Sequence, residues 1–238
     1  MKKILTSFIV LVSVGQITGQ TTTTTQSGKT ETYTRTETLQ PNGQTIITTT
    51  HTSTVNMDAS FGIKLNVNMS NVIIRDNDCQ SKMKLGFSTG VFLKLESNAF
   101  ALQYELLLRH KNFAVKNAET NTQTDYSYWG LELPIYFMGQ IKTGAGKIFI
   151  GAGPYVSIGL DGKQDPGNID IYKNDKTSGK PIMKRFDFGL GAMCGYEFNN
   201  GISVSGGYQA GLINALSAQK DTMTMKNQCV NFGVGYKF

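Results

Sequence analysis

Residues 185–238 alternate along the chain between two kinds of side chain. In 185–198 the even positions are mostly apolar or aromatic, whereas the odd positions are mostly glycine or charged. The final run repeats this rule, with Val230, Phe232, Val234, Tyr236 and Phe238 set against Asn231, Gly233, Gly235 and Lys237. Period-2 alternation is typical of β-strands. Because glycine packs nothing and weakens a strand, a soluble sandwich would rarely give it so many facing positions. The pattern therefore favours a narrow closed barrel with its apolar face toward lipid.

Eight runs of this kind follow one another, each near the length of a tilted transmembrane strand. They cover 60–74, 83–96, 99–113, 126–141, 147–160, 184–198, 201–213 and 228–238. The connections are tight after the second, fourth and sixth runs and longer elsewhere, at 75–82, 114–125, 161–183 and 214–227. Short turns at one end and long loops at the other are typical of outer-membrane barrels. We predict an all-β fold: an eight-stranded antiparallel transmembrane β-barrel over 58–238, with short periplasmic turns and long external loops.

The N-terminal residues divide into two further segments. Residues 1–19 read as a secretory signal peptide, with Lys2 and Lys3 before an apolar stretch that is too short to span a bilayer. Residues 20–57 are rich in threonine and poor in large apolar side chains, which predicts a flexible segment on the periplasmic side. The alternative is a hairpin at 31–54, because threonine favours strands and Pro41-Asn42-Gly43 is a turn signal.

Composition and charge exclude other classes of protein. The chain has 23 basic and 17 acidic residues, a net charge of +6, and no block of Lys and Arg typical of nucleic-acid binding. No segment after the leader has the roughly 18 uninterrupted apolar residues that a transmembrane helix needs. We therefore expect no nucleic-acid partner and a mature protein that is secreted or enters the outer membrane as a barrel.

Short motifs in the strands resemble a known family. They are Leu102-Gln103-Tyr104-Glu105-Leu106-Leu107, Trp129-Gly130-Leu131-Glu132-Leu133-Pro134, Gly151-Ala152-Gly153-Pro154-Tyr155 and the terminal Gly235-Tyr236-Lys237-Phe238. In this order they resemble the outer membrane β-barrel family of gram-negative bacteria often called PorT-like. The resemblance covers roughly 60–238 and implies an eight-stranded outer-membrane barrel with its function largely open. Phe238 resembles the C-terminal aromatic signal that the barrel-assembly machinery reads.

The polar face of the predicted strands carries charges of both signs. An eight-stranded barrel is just wide enough for side chains to fill, so these charges should pair with one another in the lumen. The predicted network consists of Lys64, Lys94, Glu105, Arg109, Glu132, Arg185, Asp187, Glu197 and Lys237. Its alternative reading is a path for protons or ions.

The cysteines suggest a covalent link near the loop end of the barrel. Cys79 lies in the first long connection, and Cys229 begins the last strand at the same rim. Since closure makes the first and last strands neighbours, we predict a Cys79–Cys229 disulfide in an oxidising compartment. Cys194 is expected to stay a thiol that faces lipid.

Catalytic patterns are scarce. Outer-membrane lipid hydrolases resemble this architecture, but they need a Ser/His pair oriented by a carboxylate. The two histidines are His51, in the threonine-rich tract, and His110, for which the sequence indicates no serine partner. His110 with Arg109 and Lys111 reads instead as a basic cluster facing lipid headgroups. No Gly-rich phosphate loop or metal-ligand spacing is present, so we expect a non-enzymatic protein without metal or cofactor.

The sequence thus predicts a structural or interaction role at the outer membrane. The expected partners are outer-membrane lipid, the barrel-assembly machinery and an envelope protein that contacts the external loops or the periplasmic face. One alternative is a secretion-accessory or narrow transport barrel. Another is a soluble lipocalin-like carrier, which requires the apolar face inside and the charged residues on the surface.

Overall fold

The structure is a computed structural model that describes residues 3–5, 17–26, 29–39, 45–75, 79–97, 99–117, 121–174, 179, 181–217 and 224–238. Within these residues every regular element is a strand. The strands are β1 Lys3–Leu5, β2 Ile17–Gln26, β3 Lys29–Leu39, β4 Thr45–Arg75, β5 Cys79–Glu96, β6 Phe100–Asn117, β7 Gln123–Thr143, β8 Gly146–Asp165, β9 Ile169–Asp170, β10 Phe186–Phe198, β11 Ile202–Gly211 and β12 Thr224–Lys237. Among them there is no helix long and apolar enough to cross a membrane.

The chain divides into two units, one formed by 1–59 with 95–98 and the other by 60–94 with 99–238. In the first unit β2 pairs antiparallel with β3, and β3 pairs antiparallel with the first part of β4, where Thr38 faces Ile46. β1 also pairs with β4. The threonine-rich tract therefore forms paired strands, the arrangement that the hairpin interpretation expects. The turn at 41–43 and most of the proposed signal peptide lie outside the described residues, so the flexibility of the tract and the signal peptide stay predictions.

In the second unit, eight strands of the described chain form a ring of hydrogen-bonded neighbours. The order runs β4, β5, β6, β7, β8, β10, β11 and β12, and β12 pairs again with β4. This last pairing is antiparallel and extends from Thr224 opposite Arg75 to Lys237 opposite Gly62. The first and last strands of the predicted barrel are therefore neighbours, as closure requires.

The two faces of these strands differ in the way that the sequence predicts. Large apolar side chains point outward and are exposed, among them Phe61, Leu65, Ile150 and Phe232. Their neighbours in sequence point inward and are buried, including Asn66, Asn68 and Lys94. In a soluble carrier the apolar face would lie inside. The exposed apolar face therefore contradicts the lipocalin-like alternative.

The ring has two different ends. At the turn end the chain reverses tightly, between Thr143 and Gly146 and between Phe198 and Ile202. At the opposite end, called the loop end below, two of the predicted long connections are shorter than expected. β4 continues to Arg75 and β5 begins at Cys79, while β6 continues to Asn117 and β7 begins at Gln123. The strands lengthen because ladder pairing satisfies backbone groups that a loop would expose. The connections at 166–185 and 212–223 remain long.

Candidate functional site

Three buried carboxylates organise the charges inside the ring. The first is Glu105 on β6, which accepts hydrogen bonds from Lys64 at 2.7 Å and from the Gln103 amide at 2.6 Å. Each of these side chains is at least nine-tenths buried. A buried carboxylate is stable only when its charge is paired and hydrogen-bonded, and Lys64 and Gln103 supply both interactions at Oε1 of Glu105.

The second carboxylate, Glu132 on β7, lies nearer the loop end. Arg109 Nη2 is 2.9 Å from Glu132 Oε1, and Lys111 Nζ is 3.3 Å from Oε2. Gln209 donates to Oε1 at 2.7 Å and accepts a hydrogen bond from Arg109. Lys111 is therefore buried in the interior rather than facing lipid headgroups with His110. Its position follows from parity, because it shares the odd-numbered face of β6 with Glu105 and Arg109.

The third carboxylate is Glu197, close to the turn end. It pairs with Lys94 at 2.6 Å, with Lys147 at 3.2 Å and with Lys237. Lys147 was absent from the predicted network, although it lies at the start of β8, directly opposite Glu197 in the ladder. The register between β8 and β10 brings these two residues together, and this register cannot be read from the sequence.

The two remaining members of the predicted network behave differently from each other. Asp187 is buried and accepts hydrogen bonds from Asn227 at 2.8 Å and from the Tyr155 hydroxyl at 3.2 Å. Arg185 is exposed at the loop end, where it donates to the carbonyl oxygens of Gly159 and Leu160. Its guanidinium lies 4.9 Å from the centre of the Tyr172 ring. Arg185 is thus outside the interior network because it precedes the first residue of β10.

An apolar cluster, called the cap below, closes the interior at the loop end. It joins inward-facing strand residues to residues of the two long connections: Val72, Phe113, Tyr128, Ile171, Tyr172, Met183, Ala215 and Met225. Backbone hydrogen bonds hold it, since the Ile171 amide donates to Gly162 and the Met183 amide donates to Ile171. The cap could not be predicted from the sequence because its loop residues have no periodic pattern.

A short turn anchors the cap on its outer side. The Tyr172 amide donates to Asp170 Oδ1 at 2.9 Å, and Lys173 lies 3.2 Å from Asp170 Oδ2. The hydrogen bond from the Tyr172 amide, followed by that from Lys173, holds the pKa of Asp170 below its usual range. This carboxylate is therefore charged at neutral pH and fixes the start of the segment that enters the cap.

A polar cluster lies on the outward face of the ring near the loop end. His110 Nε2 and Ser127 Oγ are 3.0 Å apart, and this side of the ring is exposed. The His110 ring packs against two aromatic rings that also contact each other, with its centroid 4.7 Å from that of Trp129 and 5.5 Å from that of Phe87. The sequence indicated no serine for His110 because Ser127 lies 17 residues away and meets it only through the β6–β7 register.

The predicted Cys79–Cys229 disulfide is not formed in the structure. Cys229 faces Ser70 across the β12–β4 ladder, whereas Cys79 begins β5 on the other side of β4. Two strand spacings, about 10 Å, separate β12 from β5, and a disulfide needs Cα atoms about 4–7 Å apart. Closure makes β4 and β12 neighbours, but Cys79 belongs to the next strand.

The described residues contain no group of three or more His, Cys, Asp or Glu side chains that could hold a metal ion. The interior carboxylates are instead spread along the ring, and each has cationic or amide partners. The chemistry that the arrangement supports is therefore ion pairing in the interior and hydrogen bonding at the outer face.

A ring of antiparallel strands with charge inside and apolar side chains outside defines the class of outer-membrane β-barrels. Residues 42–217 match the family model described as outer membrane protein beta-barrel domain. The chain belongs to this family. The match is to the family as a whole, so the finer PorT-like resemblance stays a prediction.

Solved structures also show similarity, whereas no curated protein sequence matches the chain. Neisserial surface protein A (NspA) is 17% identical, with 76% of this chain and 99% of that chain covered and a TM-score of 0.42. Ail, the attachment invasion locus protein of Yersinia pestis, solved with the heparin analogue sucrose octasulfate, is 15% identical; 76% of this chain and 100% of that chain are covered, with a TM-score of 0.42.

Proposed function

We propose that the protein is an eight-stranded barrel in the outer membrane whose interior and cap serve a non-enzymatic, structural or interaction role. The observation that carries this proposal is the filled interior. Buried ion pairs occupy it around Glu105, Glu132 and Glu197, and the cap covers the loop end. Because an eight-stranded barrel has little space beyond its own side chains, this arrangement argues against the narrow transport alternative.

The proposed orientation places the turn end in the periplasm and the loop end outside the cell. It rests on the tight turns at 144–145 and 199–201 and on the long connections at 166–185 and 212–223. Loops on a rigid scaffold are where proteins of this kind make their contacts. We therefore propose that an envelope protein binds at one of the two ends. The roles of outer-membrane lipid and of assembly machinery that reads Phe238 belong to the same proposal.

Two measurements test this proposal. The first is membrane fractionation followed by gel migration with and without boiling. We expect the protein in the outer-membrane fraction, with faster migration before boiling because the folded ring resists detergent. Recovery as a soluble protein, or migration that heating leaves unchanged, would contradict the barrel.

The second measurement tests the orientation with a matched pair of epitope insertions. One tag is placed after Gly167 in the long connection, and the other is placed after Gly144 in the tight turn. Antibody added to intact cells should bind only the first tag, and both should be bound after the outer membrane is permeabilised. The opposite pattern would reverse the proposed orientation.

A further inference from the structure

The outward-facing polar cluster has the geometry of a nucleophile beside its base. Ser127 Oγ lies 3.0 Å from His110 Nε2, within the reach that proton transfer between a nucleophile and a general base requires. In the tautomer with hydrogen on Nδ1, Nε2 accepts the hydrogen bond from the Ser127 hydroxyl. The rings of Phe87 and Trp129 pack against the imidazole and restrict its orientation. In a Ser-His-Asp triad the carboxylate orients the imidazole and also fixes its tautomer, so the two groups here form a dyad.

Two further polar side chains flank Ser127 across the sheet. In the ladder Ser127 lies directly opposite Asn112 of β6 on one side and opposite Lys163 of β8 on the other. The Asn112 amide nitrogen donates one hydrogen to the Leu85 carbonyl oxygen at 2.7 Å, which leaves its second hydrogen for another acceptor. An amide N–H and an ammonium beside a nucleophile are the donors that stabilise a developing oxyanion.

The backbone next to the cluster is irregular. The β7–β8 register shifts by one residue between Trp129 and Gly130. This irregularity lies two to three residues after Ser127 in β7. Bulges of this kind change the aim of neighbouring side chains and are common beside functional sites.

A groove opens on the same surface. Ser127, Asn112 and Lys163 line it together with the apolar side chains of Met83 and Leu85. Lys84, Asp125 and Asp165 also line it, and Lys84 pairs with Asp125 at 2.5 Å. The adjoining outer face carries exposed apolar residues such as Phe87 and Leu131. A molecule with an acyl chain and a polar head therefore finds apolar contacts along the strands and the Lys163 ammonium group beside Ser127.

We propose that Ser127 and His110 form a catalytic dyad that hydrolyses a long-chain carboxylic ester of a lipid in the membrane leaflet at the loop end. This activity goes beyond the role proposed above, which needs no catalysis. The sequence indicates no serine partner for His110, and the structure places Ser127 beside it.

The reaction balances without any further reactant except water. Ser127 Oγ attacks the ester carbonyl carbon while its proton passes to His110 Nε2. The bond to the alcohol oxygen then breaks, and the alcohol leaves with that proton. Water next gives a proton to His110 and attacks the acyl-serine, the bond to Ser127 Oγ breaks, and the serine recovers its proton. The net products are one carboxylic acid and one alcohol.

Covalent labelling tests the nucleophile directly. The full chain, folded in detergent micelles, is treated with a long-chain fluorophosphonate, and the labelled peptide is identified by mass spectrometry. We expect the phosphonyl group on Ser127, no label in Ser127→Ala, and labelling slowed about 100-fold or more in His110→Gln. The matched control is Thr89→Val, an exposed position on the outward face of β5, which should label like the unaltered protein. Absence of label on Ser127 in the unaltered protein would overturn the dyad.

Hydrolysis identifies the source of the ester. Vesicles of phosphatidylglycerol with phosphatidylcholine form one arm, and vesicles that also contain lipopolysaccharide form the other; released fatty acid is measured by mass spectrometry. Release in the first arm assigns a phospholipid ester, and release confined to the second assigns a glycolipid ester. Release that Ser127→Ala leaves unchanged, or no release in either arm, would overturn the proposal.

Folding is checked separately by the gel shift on boiling, which all variants should retain. If the Ser127–His110 hydrogen bond were purely structural, the unaltered protein would take no covalent label. Removing the bond in the variants would then change only the gel shift. If no hydrolysis were found, the results of the fractionation and tag experiments would still support the barrel and its orientation. The two proposals can therefore fail independently.

Discussion

At the scale of single residues, Glu132 is the buried carboxylate that neutralises two buried cations, Arg109 and Lys111. Its side chain is 1% exposed, and it compensates both Arg109 and Lys111, which are almost as deeply buried. Removing one partner of a buried ion pair is costlier than removing the whole pair, because the remaining charge has neither water nor a counter-ion. Two cations depend on this one carboxylate, so the cost of losing it should be unusually high.

We therefore expect Glu132→Ala to destabilise the folded barrel by about 3–5 kcal/mol. The measurement is the temperature at which the fast-migrating folded band is lost on a gel, which should fall clearly. Lys173→Ala is the control, because the Lys173–Asp170 pair lies at the surface with Lys173 80% exposed, and exposed pairs contribute little. Equal transition temperatures for the two variants would contradict the role assigned to Glu132.

The same residues show how much of the site could be predicted from the sequence. Parity identified the inward-facing charges such as Glu105 and Glu132, because side-chain direction alternates along a strand whatever its neighbours are. Parity does not give the register between strands. The Lys147–Glu197 pair and the Ser127–His110 contact both depend on register, so neither was predicted. The predicted Cys79–Cys229 bridge failed for the same reason, since it ignored the strand that separates them.

At the scale of strands, glycine on the inward face permits close approach between neighbours. A Cβ atom added at Gly153 on β8 would overlap the carbonyl oxygen of Ile135 on β7. Gly139 on β7 lies on the outward face, with Phe137 and Ile141, and an added Cβ there would meet no atom within 4 Å. Gly153 therefore permits a close contact between two strands, whereas Gly139 lies in open space.

We expect Gly153→Ala to weaken the β7–β8 pairing and to reduce the yield of folded, heat-shifting protein. Gly139→Ala is the matched control and should fold like the unaltered chain. The measurement is the fraction of protein in the fast-migrating band after refolding into detergent. If Gly153→Ala refolded as fully as Gly139→Ala, the close contact with Ile135 would not limit folding.

The strands also show which parts of the fold could be predicted. The eight runs, their order and their apolar face follow from a period of two and agree with β4 to β12 as observed. Their ends at the loop side do not follow from that period, because residues 114–125 contain only three apolar side chains, Ala114, Val115 and Ala118, and these do not alternate with polar ones. The cap could not be predicted either, since Ile171 and Met183 lie in a connection without periodicity and become core residues only when the ring closes.

At the scale of the whole molecule, two independent features block the interior. The ion pairs around Glu197 fill the part near the turn end, and the cap closes the loop end. Buried water or solute would have to displace paired charges at one end and packed apolar side chains at the other. Either barrier alone narrows the path, and in the part of the chain that the structure describes the two in series leave no continuous polar channel.

We therefore expect the protein in planar lipid bilayers to produce no stepwise ionic conductance. A cap variant, Ile171→Asp, places a charge in the apolar cluster and should loosen the loop end, yet it should still conduct no current because the ion pairs near Glu197 remain. Insertion is verified independently by protection of the reconstituted barrel from protease. Discrete current steps from the unaltered protein would restore the transport alternative, and steps from Ile171→Asp alone would assign the whole barrier to the cap.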